Sequence, residues 1–285
     1  MRQPHSLFRL SQRVYNTPHL ITPQALSVVL DYFERRNLQD FRLDMIEPAE
    51  APDDQEDDDD GMTPDIGILC VDGSLTYRPV MTLCGEVGTS YQSLVDKTED
   101  MIEAGVKTIV MWASSGGGEA SHVFETANDI RSLCDENGVQ LVGYADTMAC
   151  SAAYALLCVC DVVIANPSAD LGSIGCVVAL MDTSKAMEKA GLKRIFITSG
   201  ENKVPFDADG AFKDSFLEDI QAEVDRLNDE FAAHVSAHTN LSVDAIKGFE
   251  AKVFNAAEAK KRGLCDAVMT AKEFSQYLAQ AKGNT

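Results

Sequence analysis

From residue 65 onward, short apolar runs alternate with amphipathic stretches, and this alternation limits the folds that the chain can adopt. The apolar runs predict strands over residues 66–71, 108–112, 141–145, 162–165 and 194–198. The stretches with helical spacing predict helices over residues 90–104, 120–137, 151–160, 214–238, 256–262 and 271–282. Strands separated by helical crossovers favour the α/β class, with a largely parallel sheet and flanking helices.

The residues before this alternation have a different composition. Residues 1–46 form an N-terminal segment in which Pro23 is placed to start a helix over residues 24–36. Residues 47–65 predict an acidic linker, because the carboxylates at 53–60 repel one another and no apolar side chains lie among them. A partner-binding or cleavable acidic tether is the alternative. We expect the main domain to span residues 66–285.

Charge and hydropathy exclude several classes of protein. The sequence has 45 acidic and 24 basic side chains, a formal net charge of −21 at pH 7. Binding to nucleic-acid phosphates or to anionic lipid requires basic patches, which argues against both partners. The N-terminus lacks the apolar core of a signal peptide, and no stretch approaches the roughly 20 apolar residues of a membrane span. We therefore expect a cytoplasmic protein.

The cysteines and histidines do not form a metal-binding pattern. None of the eight cysteines has CxxC spacing, and several lie in apolar runs, as Cys70 does at the end of a predicted buried strand. We interpret them as small core side chains in a reducing compartment. His234 and His238 are four residues apart, which allows a shared metal but fits a surface pair better.

Ser151 is the first candidate for chemistry, because it lies among small residues where a predicted strand passes into a helix. A helix N-cap is the alternative role for such a serine. A nucleophilic serine needs a base. None of the five histidines lies in a clear triad context, although His122 is near a glycine run. A lysine can replace histidine where burial keeps its amine uncharged. Lys203 follows an apolar run and is the candidate base, with Ser173 placed to orient its amine; an ordinary surface lysine is the alternative.

A glycine run supplies the candidate anion site. Residues 114–118, Ser-Ser-Gly-Gly-Gly, follow a predicted strand and are expected to form a turn. Glycine lets backbone amides approach a substrate closely, so the amide of Gly116 or Gly117, with that of Ala152, is placed to hold the oxyanion of a tetrahedral intermediate. A plain flexible turn and a phosphate cradle are the alternatives, but neither the P-loop pattern nor GxGxxG is present.

Together these motifs resemble the signal peptide peptidase A and lambda-type phage head maturation (prohead) protease family of serine peptidases. The resemblance covers about residues 66–270. It is carried by Cys-Ser-Ala at 150–152, Gly-Ser-Ile-Gly at 172–175 and the S-G-x-x-K-V pattern at 199–204, with further likeness at 18–23, 236–243 and 253–259. One departure is Ser115, which stands where the family usually has proline before the glycine pair.

The resemblance implies a crotonase- or Clp-like core in which Ser151 is the nucleophile and Lys203 the general base. It further implies that Gly116, Gly117 and Ala152 line the oxyanion hole and that Ser173 supports the lysine. The expected protein is a homo-oligomeric serine endopeptidase that needs no metal or cofactor. Its substrates would be scaffold, capsid or portal proteins, cut within the assembling procapsid in the host cytoplasm. A non-catalytic head component with the same fold and a crotonase-type acyl-CoA enzyme are the alternatives.

Overall fold

The computed structural model describes residues 15, 17–27, 30, 65–82, 85–86 and 88–281. Within these residues ten strands form one mixed sheet, and β3 (Met81–Thr82) and β4 (Gly85–Glu86) form a separate hairpin. The predicted acidic linker, apart from Asp65, and most of the predicted helix at 24–36 lie outside the described residues, although residues 23–27 are helical.

Five parallel strands form the centre of the sheet. In spatial order they are β2 (Ile66–Thr76), β6 (Thr108–Glu119), β7 (Gln140–Cys150), β8 (Val162–Ala165) and β12 (Ala267–Val268). The predicted α/β class is confirmed. The strands β2, β6 and β7 continue several residues beyond their predicted apolar runs, because backbone pairing extends into the polar and glycine-rich residues that follow.

Shorter strands extend the sheet where β6 and β7 end. They are β1 (Pro18–Ile21), β5 (Thr89–Ser90), β9 (Asp170–Gly172), β10 (Val177–Val178) and β11 (Val253–Asn255). The strand β9 runs parallel to β7 and antiparallel to β11. The strand β1 lies between β6 and β10 and is antiparallel to both. Part of the N-terminal segment therefore belongs to the main sheet.

Helices cover both faces of the sheet. Apart from the helical residues that precede β2, the helices of the described residues are α1 (Tyr91–Glu103), α2 (Val123–Asn137), α3 (Ala152–Leu157), α4 (Ser184–Lys189), α5 (Asp214–His238), α6 (Val243–Lys247), α7 (Ala256–Lys261) and α8 (Ala271–Ala281), with a 3-10 helix at Glu201–Lys203. Side chains alternate between the faces of each strand. Leu69, Ile109 and Met111 therefore join the larger core with α1, α2, α3 and α5, whereas Val110 and Tyr144 pack with Phe274 of α8.

Three predictions about local structure are wrong. Residues 194–198 form no strand, because no strand pairs with them in the part of the chain that the structure describes. The glycine run at 114–118 is not a turn but the end of β6, since it pairs with β1 and β2. Cys70 is exposed, because alternate residues of β2 face opposite sides and its neighbours on the same side, Ile68 and Asp72, are exposed as well.

No helix among these described residues combines the length and the hydropathy that crossing a membrane requires.

Candidate active site

Ser151 occupies a sharp turn between β7 and α3. Its backbone has φ 57° and ψ −120°, in a region that residues other than glycine rarely adopt. The Ser151 N–H donates to the carbonyl of Gly172 at 2.8 Å, and the Ser151 carbonyl accepts from the Ala155 N–H at 3.0 Å. The neighbouring strand and the first turn of α3 therefore hold this residue in its strained conformation.

The Ser151 hydroxyl is not used for structure. It is buried and has no hydrogen-bond partner among the described residues, and it does not cap α3. Leaving a buried polar group unpaired costs about 1–3 kcal/mol, so such groups are rare and call for an explanation. The N-cap alternative is thereby excluded in this structure, and the hydroxyl remains available for chemistry.

Gly117 lies directly against this serine. Its φ is 102°, and a Cβ at this position would lie 3.0 Å from the Ser151 Cβ and 3.1 Å from the Ala152 nitrogen. Only glycine fits so close an approach with that φ. The Gly117 N–H donates to the Ser115 Oγ at 3.1 Å, and the Ser115 hydroxyl donates to the Gly73 carbonyl at 2.6 Å. The structure thus brings Gly117, Ala152 and Ser151 together, with Ser115 holding the Gly117 amide.

The Gly-Ser-Ile-Gly element lies on the other side of the serine. In the pairing of β7 with β9, Cys150 faces Gly172, so Ser173 follows the residue whose carbonyl holds Ser151. Ser173 is buried, has φ 51° and donates its N–H to the Lys252 carbonyl at 3.0 Å. The predicted supporting serine therefore lies in the same part of the molecule as the predicted nucleophile.

Lys203 is placed differently. It ends the 3-10 helix Glu201–Lys203 and is exposed. Because the Ser151 hydroxyl has no hydrogen-bond partner among the described residues, the Lys203 amine is not within bonding distance of it in this single chain. The structure gathers the predicted nucleophile, anion site and supporting serine, but it does not bring the predicted base to them.

The cysteine next to Ser151 and two of the histidines lie in other environments. Burial, with a smaller contribution from Asp170, raises the pKa of the Cys150 thiol to about 12, so this neighbour of Ser151 stays protonated at neutral pH. His122 stacks on Tyr77 with 3.9 Å between ring centroids. His234 is buried rather than at the surface, with its Nε2 2.9 Å from the Ala155 carbonyl oxygen. No group of three or more metal-binding side chains occurs in the described part of the chain.

Sequence reasoning missed one component of the site. The strand β1 and Thr22 contact the glycine run, and the Thr22 N–H donates to the Gly116 carbonyl at 2.9 Å. The only sequence signal at residues 18–23 is their resemblance to the start of phage members of the family. That resemblance does not predict where these residues pack.

The chain is similar to a known family of peptidases and to two phage proteins. The sequence profile described as "Peptidase family S49" matches residues 135–285, which include Ser151, Ser173 and Lys203. The chain is 29% identical over 217 residues to the "Head-tail preconnector protein GP5" of Enterobacteria phage P21, covering 76% of this chain and 43% of that protein. It is 29% identical over 202 residues to the "Capsid assembly protease C" of Escherichia phage lambda, covering 70% and 46%.

A cellular relative is the "Probable protease SohB" of Haemophilus influenzae, 24% identical over 171 residues, covering 59% of this chain and 48% of that protein. The chain thus spans less than half the length of each of these three relatives. The profile match extends over more than half of the 285 residues and includes the candidate nucleophile. The chain belongs to peptidase family S49.

Proposed function

We propose that this chain is a serine endopeptidase that processes head proteins during phage capsid assembly. The observation that carries the proposal is the Ser151 hydroxyl, which is buried, unpartnered and held in a strained turn against Gly117 and Ala152. Structural serines use their hydroxyls, whereas strained and unsatisfied groups concentrate at functional sites. The names of the two phage relatives support capsid assembly as the setting.

The proposed reaction is acyl transfer. Lys203, in its neutral form, takes the proton of the Ser151 hydroxyl as the oxygen attacks a peptide carbonyl carbon. The resulting oxyanion accepts hydrogen bonds from the Ala152 N–H and from an N–H of the Gly116–Gly117 pair. The lysine then protonates the leaving amine, and the peptide C–N bond breaks. Water, deprotonated by the same amine, finally releases the acyl group and restores the serine.

The base must reach Ser151 from its exposed position. Lys203 follows a stretch in which Ile195 is 80% and Ile197 99% exposed, and exposed apolar side chains of this kind mark association surfaces. We therefore place Lys203 at Ser151 in an assembly of copies of this chain. Packing between copies would remove the amine from water, which favours the uncharged form of a lysine, and Ser173 would orient it.

The substrates are proposed to be scaffold, capsid or portal proteins, encountered within the procapsid in the host cytoplasm. The reaction as written needs no metal or organic cofactor, because the hydroxyl, the amine and the backbone amides supply nucleophile, base and anion site.

A fluorophosphonate probe tests the nucleophile. We expect it to label the assembled wild-type chain and a Ser168→Ala control, in which an exposed serine is changed, but not Ser151→Ala. Co-expression with candidate head proteins and intact mass measurement should show processing that is lost in both Ser151→Ala and Lys203→Ala. Undiminished labelling of Ser151→Ala would contradict Ser151 as the nucleophile. Unchanged processing in Lys203→Ala would contradict Lys203 as the base. An unlabelled assembly that still supports head formation would favour a non-catalytic head component.

A further inference from the structure

The N-terminal strand β1 lies in a position where a peptide substrate is expected to bind. It pairs antiparallel with the end of β6, with His19 opposite Glu119, Leu20 opposite Gly118 and Ile21 opposite Gly117. On its other side it pairs antiparallel with β10, with Pro18 opposite Val178 and His19 opposite Val177. The strand thus fills the space between the glycine run and the residues that follow Gly-Ser-Ile-Gly.

This strand also lies against the glycine that contacts the candidate nucleophile. A Cβ at Gly117 would lie 2.1 Å from the Leu20 carbonyl oxygen and 3.0 Å from the Ser151 Cβ, so both atoms lie against Gly117. A Cβ at Gly116 would lie 3.0 Å from the Thr22 Oγ1 and 3.4 Å from the Ala25 Cβ. Ser151 has no exposed surface in this arrangement.

A peptide carbonyl cannot reach the Ser151 hydroxyl in this arrangement, because Ser151 has no exposed surface. An extended peptide that binds beside a sheet forms main-chain hydrogen bonds with the strand edges it meets, and side-chain pockets give it specificity. The edges of β6 and β10 facing this space are both taken by β1. Any extended peptide can form the same main-chain hydrogen bonds as β1, except at a proline, which has no N–H to donate.

We propose that β1 is an inhibitory strand that occupies the peptide-binding groove of its own chain, and that substrates bind as an antiparallel strand after displacing it. This inference rests on the function proposed for Ser151. Leu20, which is fully buried in the main core cluster, fills an apolar position that a substrate side chain takes in its turn. The groove is therefore expected to prefer a peptide with a leucine-like residue at that position.

The covalent connection determines how strongly β1 competes. A tethered strand competes with an effective concentration on the order of millimolar, whereas a detached strand competes only at its actual concentration. Residues 31–64 lie between β1 and β2 in the chain and include the acidic run at 53–60. Cutting the chain there and diluting it to micromolar concentration should free the groove without changing any residue of β1 or of the site.

The experiment replaces residues 54–60 with the recognition sequence of a site-specific protease. After the cut, we expect fluorophosphonate labelling and hydrolysis of a peptide substrate to become at least about ten times faster than in the uncut chain. A synthetic peptide of residues 15–27 should reverse the gain, and the same peptide with Leu20→Asp should not. The protease-treated wild-type chain, which lacks the recognition sequence, is the matched control. Equal rates before and after the cut would overturn the inference.

A binding measurement separates this inference from the proposed chemistry. In Ser151→Ala, which cannot react, we expect the cut chain to bind fluorescently labelled peptide 15–27 at least ten times more tightly than the uncut chain does. Anisotropy, measured while the protein is titrated into a fixed, low concentration of the peptide, gives the two affinities. Equal binding, or loss of the folded domain on release of the fragment, would overturn the inhibitory strand even if Ser151 is labelled. Tighter binding to the cut chain, with no fluorophosphonate labelling of the cut or the uncut wild-type site, would support β1 as an inhibitory strand. It would contradict the assignment of Ser151 as the nucleophile.

Discussion

Ser115 shows how a single side chain can act on the anion site without touching the substrate. Its hydroxyl accepts the Gly117 N–H at 3.1 Å and donates to the Gly73 carbonyl at 2.6 Å. The Gly117 amide, a proposed oxyanion donor, is therefore already engaged in this structure. A developing oxyanion has to compete with Ser115 for that N–H, although charged acceptors form the stronger hydrogen bond.

We expect Ser115→Ala to raise kcat for peptide cleavage by a few-fold, up to about ten-fold, because the competing bond is worth about 0.5–1.5 kcal/mol. The same change should lower the free energy of unfolding by about 1 kcal/mol, since the bond to Gly73 is lost. Steady-state kinetics and urea unfolding measure the two effects.

The matched control for this change is Ser114→Ala, because the Ser114 hydroxyl bonds to Thr147. The control should leave kcat unchanged. A fall of kcat in Ser115→Ala would mean that Ser115 holds the strand end in its productive position and does not compete with the oxyanion for the Gly117 N–H.

At the scale of elements, the helix that follows the nucleophile depends on a buried histidine. His234 of α5 lies with its Nε2 2.9 Å from the carbonyl oxygen of Ala155 in α3, and it packs against Phe124 with 5.1 Å between ring centroids. Burial lowers the pKa of His234; the bond to Ala155 opposes this, and nearby His238 adds to it. The neutral imidazole therefore anchors α3, which begins at Ala152.

This histidine predicts how stability depends on pH. Because the pKa of His234 is lower in the folded chain than its unfolded value near 6.5, the unfolded chain binds the proton first as pH falls. Its stabilising contribution is complete above about pH 6.5 and is lost as pH falls toward the folded pKa, at about 1.4 kcal/mol per unit of pKa difference. Urea unfolding from about pH 7 to pH 5 should show this loss in the wild type and a smaller one in His234→Gln.

The pKa of His238 is also lowered, by burial and by Arg131, so its protonation likewise reduces the free energy of unfolding as pH falls. His238→Gln is therefore the matched variant. It should retain the larger part of the pH dependence, because His234 is the more deeply buried of the two. Identical profiles for wild type and His234→Gln would show that α3 does not depend on this imidazole.

The sequence predicted well the elements that form within a single copy of the chain. The long helix at 214–238 and the strand at 162–165 were predicted with their observed bounds, because the first has apolar residues at helical spacing and the second is a short β-branched run. Residues 194–198 have the same strand-like composition but pair with no strand in the part of the chain that the structure describes. The placement of Ser151 was predicted, whereas its positive φ was not, since backbone strain comes from the pairing with Gly172 and the turn into α3.

At the scale of the whole molecule, the segment before Lys203 exposes apolar side chains. Phe196 packs on Phe206, with 5.9 Å between ring centroids, while Ile195 and Ile197 on either side are directed into solvent. Apolar residues that pair with no strand among the described residues can pair with a strand of another chain. The surface around Lys203 is therefore suited to association between copies.

We expect Ile197→Asp to weaken this association, because the exposed apolar side chain becomes a charge that packing between copies would have to bury. Sedimentation velocity should show a lower mass for Ile197→Asp than for the wild type at equal concentration. Ile68→Asp, which changes an exposed isoleucine on β2, is the control and should assemble normally. Unchanged mass for Ile197→Asp would place the interface elsewhere.

An active site shared between copies would combine Ser151 of one copy with Lys203 of another. If Lys203 of one copy serves Ser151 of another, Ser151→Ala and Lys203→Ala are each inactive alone but complement one another when mixed. An equal mixture should recover about a quarter of wild-type activity, since in a symmetric assembly one site in four then receives both intact side chains. Energy transfer between dye-labelled copies verifies that subunits exchange, and a mixture of dye-labelled and unlabelled Ser151→Ala should stay inactive. Complete exchange without recovery would show that the serine and the lysine act from the same chain, which then has to bring residues 199–204 to Ser151 by its own rearrangement.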